Sequence, residues 1–295
     1  MNSRSTESFP GSVGVSQTDA ESQDKLRVYR IVMGFLFASL VWKFRMFPLL
    51  FAVYRAIPLQ DDFFPTLMQS AEFLAVLYLV PLMLIVSVLF LSHRGWILFQ
   101  AIVTCLAMFG LCIHQQSYND VTFVTCWWTS AWCVWYALRM REPAPQLYFK
   151  AGRLAVLIFS LIFLGGAVGK LTPGYWSGEV LYQIYFVERD FWAFNLLRSR
   201  FEPETLREIA TYYSRMICCI ELAGAGLWLL PTRVACALAI GVLLSIAVFS
   251  NTYLFSVMCC LFGLGIAGLH QPVSAAFSLA QAKFQSRPIS KLIAE

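Results

Sequence analysis

The chain has 295 residues, of which 59% are hydrophobic and 16% aromatic but only 13% charged, with a formal net charge of +5. That composition lies far from the soluble average and excludes an ordinary water-borne globular domain. The positive balance is what the placement of Lys and Arg in a membrane protein already demands, so it indicates no nucleic-acid partner.

Residues 1–24 are rich in Ser, Thr, Gln and Asp and contain no apolar stretch. They read as a disordered cytoplasmic tail, and as neither a signal peptide nor a core element. From there on, apolar runs of bilayer length recur with short polar breaks at 28–46, 71–92, 95–114, 121–138, 153–171, 209–230, 232–250 and 253–270. Lipid offers the backbone no hydrogen-bond partner, so such runs are helices or a closed barrel, and their lack of period-two alternation excludes the barrel. The expectation is an all-α polytopic bundle of about eight transmembrane helices over 25–270.

Orientation follows from the basic residues. With the N-terminus inside, the cytoplasmic side collects Arg4, Lys25, Arg27, Arg30, Arg94, Arg139, Arg141, Lys150, Arg153, Arg233, Lys283, Arg287 and Lys291, thirteen of the twenty-two. Both termini are then cytoplasmic, and the chain reads as a multi-pass protein of a bacterial inner membrane. The long polar segment 171–208 falls outside. Its charges alternate with Tyr175, Trp176, Tyr182, Tyr185, Phe186, Phe191, Trp192 and Phe194, which suits either an aromatic belt at headgroup depth or a lid over a membrane-embedded site. Residues 271–295 form a second cytoplasmic tail, mildly amphipathic around Phe277, Phe284 and Leu292.

All nine cysteines fall within the apolar runs, none as C-x-x-C, and the pairs Cys218–Cys219 and Cys259–Cys260 have no second pair at metal-ligand spacing. They read as small packing residues, and no metal site is expected. The run Gly165-Gly166-Ala167-Val168-Gly169 lies inside a span and matches no phosphate-binding spacing; it allows close helix packing.

Ionisable groups inside the spans are few. Glu221 sits halfway along the sixth, where a lone carboxylate is costly and must be neutral, paired or turned to a polar cavity. Lys170 ends the fifth, His114 and Gln116 lie at the outer end of the third, and Asn251 at the outer end of the seventh. If the third, fifth, sixth and seventh spans pack together, these groups converge in the outer half of the bundle. Glu221 would then pair with Lys170 or Arg215, and such a pair is either structural or catalytic.

Gly166-Ala167-Val168-Gly169-Lys170-Leu171, followed by Trp176 and Gly178, resembles the motif of the vitamin K-dependent gamma-carboxylases and the wider HTTM (horizontally transferred transmembrane) family. In that family an Ala-Gly-x-x-Lys-Leu run precedes a Trp and a Gly; the lysine-to-glycine interval matches, and Trp176 falls one position late. Glu221-Leu222-Ala223-Gly224 is similar to the family's acidic residue followed by a small pair, and Asn251 to Ser256 to its Asn-x-x-Leu-Phe-Ser. The likeness runs in order over roughly 165–260. Two positions depart from it. Gln116-Ser117-Tyr118 stands where the carboxylases carry His-Ser-Tyr, and Val248 where they carry a His.

The resemblance implies a helical membrane bundle in which the matching lysine deprotonates a reduced quinone such as vitamin K hydroquinone, leading to carboxylation of glutamate. On that reading Lys170 is the base, Glu221 its partner or polariser and Asn251 an orienting amide, with Tyr175, Trp176, Gly178, His114 and Gln116 as the rim. Low-polarity surroundings disfavour an ammonium, which fits a lysine kept for base chemistry. The competing expectation is a short HTTM protein without quinone chemistry, similar to the membrane protein that matures the sporulation-delaying peptide toxin, handling a peptide or lipid. A redox-associated membrane subunit of the DoxX type is disfavoured by the lack of a paired thiol motif.

Overall fold

The computed structural model describes residues 13–56, 65–115, 121–188, 190–249 and 254–270, and no strand occurs among them. The long helices are α1 (Val13–Phe44), α2 (Phe47–Ala56), α3 (Ala71–Phe90), α4 (Arg94–Gln115), α5 (Val121–Arg139) and α6 (Ala144–Lys170). Three short helices follow, α7 (Pro173–Trp176), α8 (Glu179–Tyr182) and α9 (Trp192–Arg198), with a π-helical turn at Gln183–Glu188. The series closes with α10 (Pro203–Ala225), α11 (Thr232–Phe249) and α12 (Phe255–Leu269).

Helices α3, α4 and α6 are long and apolar enough to cross a membrane, and the α1–α2 pair, bent by 58°, makes a fourth if it is one span. That set is compatible with a membrane protein. The other expected spans differ for identifiable reasons. Helix α5 carries Thr122, Thr125, Thr129 and Ser130, and α10 carries Glu204, Arg207, Glu208, Arg215 and Glu221, which lowers the hydropathy of both, while α11 and α12 are apolar but short. The α5 hydroxyls are buried, and three are satisfied within their own helix: Thr125 donates to Thr122 O, Thr129 to Thr125 O and Ser130 to Trp127 O, each at 2.8 Å, while the Thr122 hydroxyl pairs with that of Ser256 on α12 at 2.9 Å.

Helix α12 is the centre, packed on α1, α5, α6 and α11. Small residues permit this. A Cβ on Gly268 would come within 2.3 Å of Cys236 Sγ, and one on Gly152 within 2.7 Å of the Thr232 methyl group. Trp132, Tyr29, Tyr136, Tyr78 and Phe159 fill the core, with Trp132 Nε1 donating to Ala151 O at 3.0 Å and the Tyr136 hydroxyl to Lys25 O at 3.2 Å. Outward, whole helix faces are apolar: Val76, Leu79, Met83, Val86 and Phe90 along α3 are all exposed. An aqueous surface rarely tolerates so continuous a patch.

Of the tail expected over 1–24, residues 1–12 lie outside the described residues and 13–24 are helical, with acidic groups that dock on distant segments. Glu21 accepts from the Ala144 amide at 2.8 Å, and Asp24 accepts from the Tyr148 hydroxyl at 2.8 Å and contacts His270 Nε2 at 3.1 Å. The tail expected over 271–295 lies outside the described residues.

Candidate functional site

Lys170 is the last residue of α6, and Glu221 faces it from α10. The ammonium Nζ donates to Glu221 Oε1 at 2.5 Å and to Oε2 at 2.7 Å, with side-chain exposures of 27% and 14%. Both carboxylate oxygens are thus held by one cation in a half-closed setting, which makes the contact short and strong.

The local sequence explains how the two reach each other. Gly166 lies one turn before Lys170 on the same face. A Cβ there would stand 3.0 Å from Glu221 Oε2 and 3.2 Å from its carboxyl carbon, so the missing side chain is the space the carboxylate occupies. Gly165 and Gly169 face open space, so the glycine run as a whole is not needed for close packing. One turn further along α10, Gly224 receives the Phe163 ring, where a Cβ would meet the ring at 2.7 Å.

The same face of α10 continues outward through Cys218, Ser214 and Thr211 at helical spacing. Cys218 Sγ lies 3.9 Å from Lys170 O, Ser214 donates to Tyr175 O, and Thr211 donates to Ser177 O at 2.7 Å. At the end of this zipper Gly178 adopts φ +82°, a left-handed conformation that disfavours any side chain. A Cβ at Gly178 would also strike the Thr211 backbone at 2.5 Å. Gly178 therefore lets the outer turn close onto α10 and brings the Tyr175 ring to 5.8 Å from Lys170 Nζ. Burial, and then the negative charge of Glu221, push the Tyr175 phenol upward, so it stays protonated as a donor.

Above the pair, segment 171–208 folds into a second small core rather than a loose belt. Phe186, Phe191 and Phe194 are buried with Leu206 and Ala210, and Tyr182, Tyr185 and Tyr213 pack against them. Trp192 Nε1 donates to Val248 O at 3.1 Å, tying this cap to the end of α11.

Not every expected site residue joins. Trp176 engages Arg215, whose guanidinium lies 5.6 Å from its ring, so Arg215 is not the partner of Glu221. Helix α4 packs chiefly on α3 and α5, while α6 takes α10, α11 and α12, so the third span does not converge with the others. His114, in the last turn of α4, is thereby placed on a different side of the bundle, and its side chain, Gln116 and Asn251 lie outside the described residues. Among the described residues no three His, Cys, Asp or Glu side chains gather closely enough to hold a metal. Sequence reasoning missed the positioning parts, Gly166, Thr211, Ser214 and Cys218. Their signal was the recurrence of small and polar residues at 211, 214, 218 and 221.

No protein-family model, no curated protein and no solved structure matches the chain. The likeness to the HTTM family rests on the motif residues alone.

Proposed function

We propose that the chain is a multi-pass membrane protein of the HTTM type, with eight membrane-crossing helices and both termini cytoplasmic, whose Lys170–Glu221 pair takes a proton from a membrane-borne reduced quinone. The eight would be the α1–α2 pair, α3, α4, α5, α6, α10, α11 and α12. Interior positions for α5 and α12 support this count, because a helix sheltered by others need not be long and apolar for lipid.

The observation that carries the functional reading is the two-point contact of Lys170 Nζ with both oxygens of Glu221 at 2.5 and 2.7 Å. Passing one proton across it converts ammonium and carboxylate into a neutral amine and a carboxylic acid. The Lys170 amine then accepts the proton of an incoming O–H group, and Glu221 holds the proton it received. Tyr175, kept protonated, donates a hydrogen bond to the oxygen left behind, which an oxygen anion needs in a water-poor site. A reduced quinone supplies two weakly acidic O–H groups and travels within the bilayer.

Binding of a naphthoquinol analogue to the purified protein, wild type against Lys170→Ala and Glu221→Gln, tests this. Binding that falls tenfold or more in both variants supports the reading and directs the next assay to quinol-dependent oxygen uptake. No binding to folded wild type rejects it. A second reading, a factor that matures or exports a peptide or lipid, is supported by the apolar groups the cap leaves exposed, Val187, Trp192, Leu196 and Phe201. It predicts unchanged function in the same two variants.

A further inference from the structure

The end of the bundle remote from Lys170 carries an arrangement that a proton-handling site does not use. Here a cavity of about 1170 Å³ opens between the start of α1, the turn from α3 to α4 and the turn from α5 to α6. Arg27 and Arg30, three residues apart on α1, line it together with Arg94, the first residue of α4, and Arg141. Four guanidinium groups from three separate segments thus face one space.

Among the described residues no carboxylate pairs with any of the four. Asp24 lines the same cavity, but it and the other acids close by are engaged elsewhere. Glu21 holds Lys25 and the Ala144 amide, Asp24 holds Tyr148 and His270, and Glu142 holds Arg139 and Lys150. Two of the arginines are also fixed in place. Arg30 donates to Val88 O at 3.1 Å and to the Ser92 hydroxyl at 3.0 Å, and Arg94 donates to Leu138 O at 2.9 Å. Each keeps further N–H donors for a ligand, in a fork that matches the oxygens of a phosphate.

Arg30 belongs to a second cavity as well. With Met33, Gly34, Phe37, Ile85 and Val86 it lines a small apolar groove of about 50 Å³ between α1 and α3. A Cβ built on Gly34 meets nothing within 4 Å, so the glycine leaves the groove open. A cationic cavity and a small apolar groove that share one arginine match the polar head and the start of the tail of one kind of molecule.

We propose that this end of the protein is a binding site for an anionic phospholipid, whose phosphate sits among Arg27, Arg30, Arg94 and Arg141 and the first carbons of whose acyl chain enter the α1–α3 groove. Positive charge on this side is general in membrane proteins. What distinguishes these four residues is their convergence on one cavity, the absence of acid partners and the groove that continues from Arg30. The phosphate chemistry is shared with a free anion, and the groove is what selects a lipid.

The test is retention of phosphatidylglycerol against phosphatidylcholine by the purified full chain, read by native mass spectrometry after delipidation and re-addition, with inorganic phosphate measured in parallel. Arg27→Gln with Arg141→Gln is the main variant, since neither side chain makes a described bond within the protein and the fold is spared. Together they should lower retention of the anionic lipid by on the order of tenfold. Gly34→Leu should weaken lipid but leave phosphate binding unchanged, whereas phosphate binding by wild type with no lipid preference would identify a soluble phosphate as the ligand of the same arginines. Arg153→Gln with Arg233→Gln, basic residues on the same side but outside the cavity, should retain the lipid as wild type does. Equal loss in this control pair, or no preference of wild type for the anionic lipid or phosphate, overturns the proposal.

Discussion

Lys170 and Glu221 are sheltered enough, at 27% and 14% exposure, that a single charge is costly there and a pair is tolerable. Removing one partner leaves the other without compensation, so Lys170→Met and Glu221→Leu should each lower stability by about 1–3 kcal/mol, discounted from a fully buried pair because Lys170 keeps some exposure. The double variant should recover most of that loss, since two apolar side chains of similar size can replace the pair. Thermal unfolding in detergent reads this directly. If the double variant is as stable as wild type yet fails to bind the quinol analogue, the pair is kept for chemistry rather than for the fold. At this scale the sequence was partly legible. The cost of burying Glu221 named it, and the order of residues named Lys170, but Gly166 was readable only as packing, because its purpose is to accommodate a carboxylate 55 positions away in the chain.

Among the elements, the turn from α5 to α6 is a staple. The Glu142 carboxylate bridges Arg139 at 2.6 Å and Lys150 at 2.8 Å, while its carbonyl accepts from Lys25 Nζ at 2.7 Å. Those contacts, first Lys150 and then Arg139, hold the Glu142 carboxyl below its ordinary value. A depressed carboxyl stabilises the folded state fully above the unfolded value, about 4.3, and the contribution is lost as pH falls through the lower folded value. Proteolysis at this turn should therefore accelerate as the solution is taken from about pH 5 toward pH 3, and Glu142→Gln should show the faster cleavage at neutral pH with little further change on acidification. The first turns of α1 belong to the same region and illustrate why the sequence hid them. Their Ser, Gln, Asp and Glu residues carry no apolar period, and what holds them helical is contact with Ala144, Tyr148 and His270, more than a hundred positions away. The apolar runs were legible for the opposite reason: continuous hydrophobicity needs no distant partner to be recognised.

For the whole molecule, the two ends differ in charge and in construction. One end gathers arginines around a cavity, and the other is capped by the aromatic core of 182–213. The proposed orientation, with both termini cytoplasmic, predicts that a cysteine at Arg200 reacts with a membrane-impermeant maleimide in intact cells, and one at Gln146 only after the membrane is opened, in a background stripped of the exposed Cys219. The reverse pattern would invert the orientation and place the Lys170 site on the inner side. The count of spans is hard to read from hydropathy: helix α12, at 15 residues, is about 22 Å long against a hydrocarbon core of about 30 Å, so as a proposed span it would depend on its shelter within the bundle.

That shelter also sets an order of events. Helix α12 lies against α1, so the helix at one end of the described chain has as its neighbour the helix at the other. During synthesis the face of α1 at Val32 and Phe35, on which Gly263 of α12 comes to rest, stays uncovered until α12 itself has emerged. Chains interrupted before residue 255 would leave that face of α1 uncovered and open to other nascent helices, so quality control could recognise an unfinished molecule by the absence of its innermost piece.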